Sequence, residues 1–171
     1  MTTLVKATLN DVELLTNLGK KTFLEAHGMS APKKDIDNYV HTKFSQEVFE
    51  TDLNDSKNHY TILYHHQKPV GYSKIIFNCT HPNIFIDQVT KLERLYLLQE
   101  FHNLKLGLQL FNFNLQESIS NHQAGMWLFV WVENQKAIDF YKRAGFKIIG
   151  NHDFKISETH SNPNHHMLLT Y

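Results

Sequence analysis

A mixed α/β fold is what this chain of 171 residues predicts, and three features of the sequence carry that expectation. Apolar residues recur at helical spacing after Asn10-Asp11 and again between Asn134 and Ala144. Between such stretches lie short runs of apolar or alternating residues bounded by turn formers, which read as strands. The length fits one domain, since single domains centre on roughly 100–200 residues, so residues 1–171 are taken as one unit with its own core.

The elements follow in order. Thr3 to Thr8 reads as a first strand, ended by Asn10-Asp11, a good helix N-cap region. From Val12 the residues Leu14, Leu15, Leu18 and Phe23 keep a helical period until Gly28 closes the helix. Pro32 restarts the chain into a polar segment running to about Ser56, helical in places around Ile36–Val40 and Val48–Leu53. Tyr60 to Tyr64 and Pro69 to Phe77 form a hairpin across His65-His66-Gln67-Lys68. Lys91 to Leu98 is the next strand. Alternation places Glu93, Leu95 and Leu97 on one face and Leu92, Arg94, Tyr96 and Leu98 on the other. A helix from about Gly107 to Ser120 precedes a strongly apolar strand, Met126 to Trp131. Asn134 to Ala144 forms a second clear helix, stopped by Gly145. Phe146 to Ile156 and His165 to Tyr171 close the chain as strands.

Composition excludes several classes. Seventeen basic and seventeen acidic side chains balance, and no basic stripe suited to nucleic acid is visible. No apolar run approaches the roughly 20 residues that cross a bilayer, so no membrane partner is expected. The one cysteine, Cys79, cannot form an internal disulfide. With no basic region and apolar stretch at the N-terminus, a cytoplasmic location is expected. The twelve histidines show neither HExxH nor zinc-type spacing, so no metal is expected.

The chemistry concentrates between Lys91 and Gly145, where strand, turn, helix, strand and helix follow one another. A strand feeding a helix N-terminus is an anion site, because free N–H groups and the helix dipole face the ligand. Here the turn is Phe101-His102-Asn103-Leu104-Lys105-Leu106-Gly107. Asn134 and Tyr141 are seven residues apart, about two helical turns, and so share a face with Ala137 and Ile138 between them. An amide and a phenol there can hydrogen-bond an extended, amide-containing ligand; a core tyrosine with its hydroxyl satisfied elsewhere is the equal alternative.

Glu133-Asn134-Gln135-Lys136-Ala137-Ile138-Asp139-Phe140-Tyr141-Lys142-Arg143-Ala144-Gly145-Phe146, ending at Gly150, resembles the N-x-x-A-I-x-F-Y-x-x-x-G-F-x-x-x-G signature of the GCN5-related N-acetyltransferases (GNAT). Leu92-Glu93-Arg94-Leu95-Tyr96 further resembles the branch containing bacterial spermidine/spermine acetyltransferases. The resemblance implies a mostly antiparallel central sheet of about seven strands flanked by about four helices. It implies transfer of an acetyl group from acetyl-coenzyme A by direct attack of a primary amine (a polyamine, another small amine or a peptide amine), with a catalytically weak coenzyme-binding or regulatory domain as the alternative. Backbone groups of Leu95, Tyr96 and Leu97 would pair with the pantetheine amides like an added strand. Asn134 would hydrogen-bond the pantetheine or acyl region, and Tyr141 would act as general acid toward the leaving sulfur. The turn of His102, Asn103, Leu104, Lys105, Leu106, Gly107 and Leu108 would hold the pyrophosphate. That turn departs from the family's Gln/Arg-x-x-Gly-x-Gly/Ala, for which His102, Lys105 and Gly107 stand. The Lys105 side chain either hinders backbone approach to the phosphates or partners one through its ammonium.

Acyl transfer needs a neutral amine, so a base must take its proton. Glu93 is the candidate, its pKa raised by partial burial; a charged strand residue paired with a nearby cation is the alternative. A backbone N–H near Leu95 is the expected oxyanion donor. Cys79 has no visible activating partner and is not expected to be a nucleophile. The segment Ser45 to Asn58, with Glu47, Glu50, Asp52 and Asp55 against Lys57, would favour a cationic amine such as a polyamine if it borders the acceptor cleft. The oligomeric state stays open, a homodimer among the alternatives.

Overall fold

The computed structural model describes all 171 residues. Seven strands form one sheet: β1 (Thr2–Lys6), β2 (Asn58–His65), β3 (Lys68–Ile76), β4 (Val89–Leu97), β5 (Gly125–Trp131), β6 (Lys147–Lys155) and β7 (Ser161–Thr170). Their spatial order is β1-β2-β3-β4-β5-β7-β6. Every neighbouring pair is antiparallel except β4 and β5. Five α-helices flank the sheet: α1 (Val12–His27), α2 (Lys33–Lys43), α3 (Gln46–Asn54), α4 (Leu106–Ser120) and α5 (Gln135–Arg143).

Local chemistry explains most of these boundaries. Asp11 holds the N-cap position of α1, as expected, but makes no side-chain cap to it, and Thr8 caps the short 3₁₀ turn Leu9–Asp11 that leads in. Its hydroxyl accepts from the Asn10 N–H, while Asp11 reaches back to the Thr8 N–H at 2.8 Å, a capping box. The polar segment after Pro32 divides into two helices because Ser45 caps a new one, its hydroxyl accepting from the Val48 N–H. That division makes five helices where about four were expected. Gly145, at φ +102°, takes the backbone conformation that stops α5.

β7 begins at Ser161, four residues before the expected His165. Pro163 lies within the strand. Its carbonyl accepts from the Val132 N–H just past the end of β5, so its missing N–H faces the side where β5 has ended.

Helices α1, α2 and α3 cover one face of the sheet over a core built on Leu15, Phe23, Ile36, Phe44, Phe49 and Tyr72. Helices α4 and α5 cover the other face. There Phe111, Ile138, Tyr141 and Phe146 pack on Leu92, Met126 and Leu128, and Leu106 and Leu110 pack on Leu63 and Val70.

The β4 strand does not keep the expected alternation. Its register against β3 slips between Lys74↔Arg94 and Ile75↔Leu92, so Glu93 is the extra residue of a bulge. Leu92 therefore packs into the α4 and α5 side with Leu95, not opposite it, while Tyr96 and Leu98 join the α1 side. β4 pairs with β5 only over Val89–Lys91 and Gly125–Trp127. Beyond that the two strands separate, leaving a wedge-shaped gap in mid-sheet.

Candidate active site

The gap exposes strand edges with no partner. The Leu98 N–H donates to the Val70 carbonyl, so Leu98 and, by antiparallel alternation, Tyr96 and Arg94 point their backbone groups at β3. The backbone groups of Leu95 and Leu97 then face the gap. The same rule applied from the Val132–Pro163 bond turns Phe129 and Trp131 toward it from β5. Of the three β4 residues expected to pair with pantetheine, Tyr96 brings its ring to the cavity and Leu95 a free backbone edge, whereas the Leu97 carbonyl already accepts from His102.

A cavity of about 200 Å³ fills the gap and continues onto the α1 side of the sheet. That volume accommodates a small acceptor and an acyl end but not a whole dinucleotide-sized ligand, which would extend along the strand edges toward α4. Ala137 and Tyr141 of α5 line it on one side, with Leu95. Phe23, His27, Tyr39, Phe44, Arg94 and Tyr96 line the other side.

Asn134 is the N-cap of α5 rather than its first helical residue. Its Oδ1 accepts from the Ala137 N–H at 3.2 Å, which leaves the Nδ2 donors free at the cavity wall. Tyr141 packs its ring between Phe140 and Phe146, with centroids 5.3 and 5.5 Å away. Burial raises its pKa, so the phenol keeps its proton, and its hydroxyl makes no hydrogen bond within the protein. Of the two readings open for Tyr141, a ring satisfied elsewhere does not describe this hydroxyl.

Glu93 also lines the cavity, its side chain partly buried at 29% exposure. At the crest of the bulge it is the most open residue of β4 once its backbone is counted in. Its carboxylate lies 3.5 Å from Lys74 Nζ and 3.9 Å from Lys91 Nζ, so the ion-paired alternative describes its surroundings. Lys74 is itself held at 2.7 Å by Asp52 of α3, which also accepts from the Tyr60 hydroxyl.

The turn before α4 presents free backbone N–H groups at a helix start. A short 3₁₀ turn, Gln99–Phe101, leads through Asn103 at φ +71° and Lys105 at φ +57° into the helix. Lys105 thus adopts the left-handed conformation that glycine enters freely. The first intrahelical bond is from the Gln109 N–H to the Lys105 carbonyl. The N–H groups of Leu106, Gly107 and Leu108 are left without side-chain caps at the head of a 15-residue helix. Leu106 is buried, whereas Leu104, Lys105 and Leu108 are exposed, and nothing stands within 4 Å of where a Gly107 Cβ would be. His102 ties the turn to the gap. Lys136 Nζ donates to its Nδ1 at 3.3 Å, leaving Nε2–H to donate to the Leu97 carbonyl at 3.1 Å.

Free strand edges, a proton-bearing phenol and an uncapped helix N-terminus in sequence along one gap fit a ligand with amides in its middle and phosphate at one end. Sequence reasoning did not find the aromatic wall formed by Phe23, Tyr39, Phe44 and Trp131, nor Asn162 and Asn164 beside it. No local pattern marks them, because they come from four separate elements. Arg94 lay inside a quoted motif but was placed only as a strand residue. No group of three or more His, Cys, Asp or Glu residues is arranged to hold a metal ion, and no helix is long and apolar enough to cross a membrane.

Comparison with known proteins agrees with this geometry. An acetyltransferase (GNAT) domain model matches residues 26–156. An uncharacterised N-acetyltransferase of Mycobacterium tuberculosis is 27% identical over 154 residues, covering 90% of this chain and 94% of the relative. The PaiA N-acetyltransferase of Thermoplasma acidophilum, solved in complex with coenzyme A, superposes with a TM-score of 0.80 at 18% identity over 100% of this chain and 99% of its own. A chimera of spermidine N-acetyltransferase from Vibrio cholerae gives a TM-score of 0.71 at 18% identity over 99% and 95% of the two chains. With the family model spanning most of the sequence and the gap, turn and α5 in place, the chain belongs to the GNAT family of acetyltransferases.

Proposed function

We propose that residues 1–171 act as one catalytic domain that transfers the acetyl group of acetyl-coenzyme A directly to the primary amine of a small molecule. The observation that carries this reading is the β4/β5 gap, whose unpaired edges end at the Tyr141 hydroxyl on one side and the uncapped α4 N-terminus on the other. Acetyl-coenzyme A supplies an acyl group activated as a thioester. Leu95 offers a backbone donor and acceptor, and Leu97 its N–H, in the manner of an added strand. Asn134 Nδ2 is placed to donate to an amide or acyl oxygen. Leu106, Gly107 and Leu108 offer N–H groups to phosphate, with Lys105 and Lys136 nearby as cations. Tyr141 holds a proton at its hydroxyl for a departing thiolate, and Glu93 accepts one from the incoming amine, directly or through water.

The polyamine reading finds no support in the placement of α3. None of the residues from Ser45 to Asn58 lines the cavity, and Asp52 is consumed by Lys74 and Tyr60. The non-catalytic alternative rested on the altered phosphate turn, and Lys105 taking the glycine-like conformation weakens that ground. Release of free thiol from acetyl-coenzyme A in the presence of a panel of amines is the direct test. Turnover with at least one amine is expected. Tight coenzyme binding without turnover on any amine would favour the non-catalytic domain.

A further inference from the structure

Arg94 is a half-buried cation with no carboxylate partner. Its guanidinium carbon stands 4.6 Å from the Phe44 ring centroid and 5.5 Å from that of Phe49. No carboxylate forms a salt bridge with it, since neighbouring Glu93 turns to Lys74 and Lys91. Its Nη1 is buried and makes no hydrogen bond of good geometry, and the polar group nearest it is the neutral, equally buried Tyr72 hydroxyl, which brings no compensating charge. A guanidinium stays protonated at any working pH, and an unpaired buried charge is strongly unfavourable unless something completes it. Arg94 also lines the cavity, beside the wall of Phe23, Tyr39, Phe44 and Trp131.

The remaining charges of the cavity point the same way. His27 is neutral, its pKa lowered to about 4 by burial, and burial keeps Tyr39 and Tyr96 protonated. Lys91 and Glu93 face each other, so Arg94 is the cation left over. A polyamine would bring further positive charge to this spot and meet repulsion. A carboxylate would meet the planar fork that suits it, at a point one residue along β4 from the gap-facing Leu95.

Resting on the acetyltransferase reading above, we infer that the acceptor is an amine that also carries a carboxylate, with an apolar body the size of an amino-acid side chain. Its carboxylate pairs with Arg94, its body lies against the aromatic wall, and its amine faces the gap.

The test compares phenylalanine with phenethylamine, which differs from it by the carboxylate alone, and with spermidine. For the parent protein kcat/KM on phenylalanine is expected to exceed that on phenethylamine by roughly tenfold to a hundredfold, mostly through KM, as for a charge-assisted hydrogen bond. Arg94→Gln should collapse that ratio toward one, and Arg94→Lys should restore only part of it, because a single ammonium lacks the fork. The rise in melting temperature caused by coenzyme A reports whether each variant is folded. Equal parent activity on the two amines, preference for spermidine, or a loss in Arg94→Gln shared equally by both amines would overturn the inference. If no amine turns over, the acetyltransferase reading fails separately. The carboxylate site is then read from melting temperature with coenzyme A present, where phenylalanine should stabilise the protein and phenethylamine should not.

Discussion

Replacing Lys105 with glycine separates backbone strain from charge at the phosphate turn. Lys105 sits at φ +57° and ψ 15°, a region that costs an L-residue roughly 1–2 kcal/mol. Glycine removes that strain but loses about 0.5–1 kcal/mol more conformational entropy on folding. The net gain is about 0.5–1 kcal/mol, which for a chain of this size raises the melting temperature by roughly 1–4 °C. Lys105→Ala keeps a Cβ at the same φ and should melt within about half a kcal/mol of the parent. Coenzyme affinity reads the other effect. The exposed ammonium contributes about 0–1 kcal/mol to a phosphate contact, whereas the three free N–H groups of α4 remain in every variant. Affinity of Lys105→Gly should thus stay within about fivefold of the parent, with a weaker dependence on salt. Lys105→Ala should bind no better than the glycine variant. Scanning calorimetry and titration calorimetry at low and high salt measure both quantities. A fall in melting temperature for Lys105→Gly would refute the strain argument. A tenfold loss of affinity that disappears at high salt would make Lys105 a phosphate ligand in its own right.

Three other substitutions test the site and the fold. Tyr141→Phe keeps the ring packed against Phe140 and Phe146 and removes only the hydroxyl, so turnover should fall ~10²–10⁴-fold with little change in stability; unchanged turnover with chemistry rate-limiting would leave Tyr141 a packing residue. Glu93→Gln should show a rate deficit that shrinks as pH rises and the amine loses its proton unaided, and a deficit constant across pH would mean that Glu93 acts through charge on Lys74 and Lys91 instead. His166 is fully buried with neither ring nitrogen hydrogen-bonded, and burial, with His81 and His152 beside it, lowers its pKa to about 4. The unfolded chain takes up that proton first, near pH 6.5, so stability present above 6.5 is lost as pH falls toward 4. Urea midpoints at pH 7 and 4.5 should differ less in His166→Gln than in the parent, and equal differences would refute the assignment.

The sequence alone determined the elements whose causes are local. Helix α5 follows from its apolar period and the stop at Gly145, and the order of strands and helices follows from patterns readable within about ten residues of chain. The signature from Asn134 to Gly150 placed the amide and the phenol beside each other because both lie on or next to one short helix. What the tertiary structure decided depends on pairing between distant segments. The bulge at Glu93 is a slip between β3 and β4, and no pattern within β4 encodes it. That one extra residue turned Leu92 to the other face and set Glu93 at the crest of the bulge, just past Lys91, where β4 stops pairing with β5. Likewise Asp52 lay in an acidic stretch that sequence could read only as surface charge, until α3 packed it onto Lys74 from β3. The burial of Arg94 among rings from three separate helices and strands has the same origin: alternation along a strand fixes which way a side chain leaves the backbone, but only closure of the core fixes what it meets.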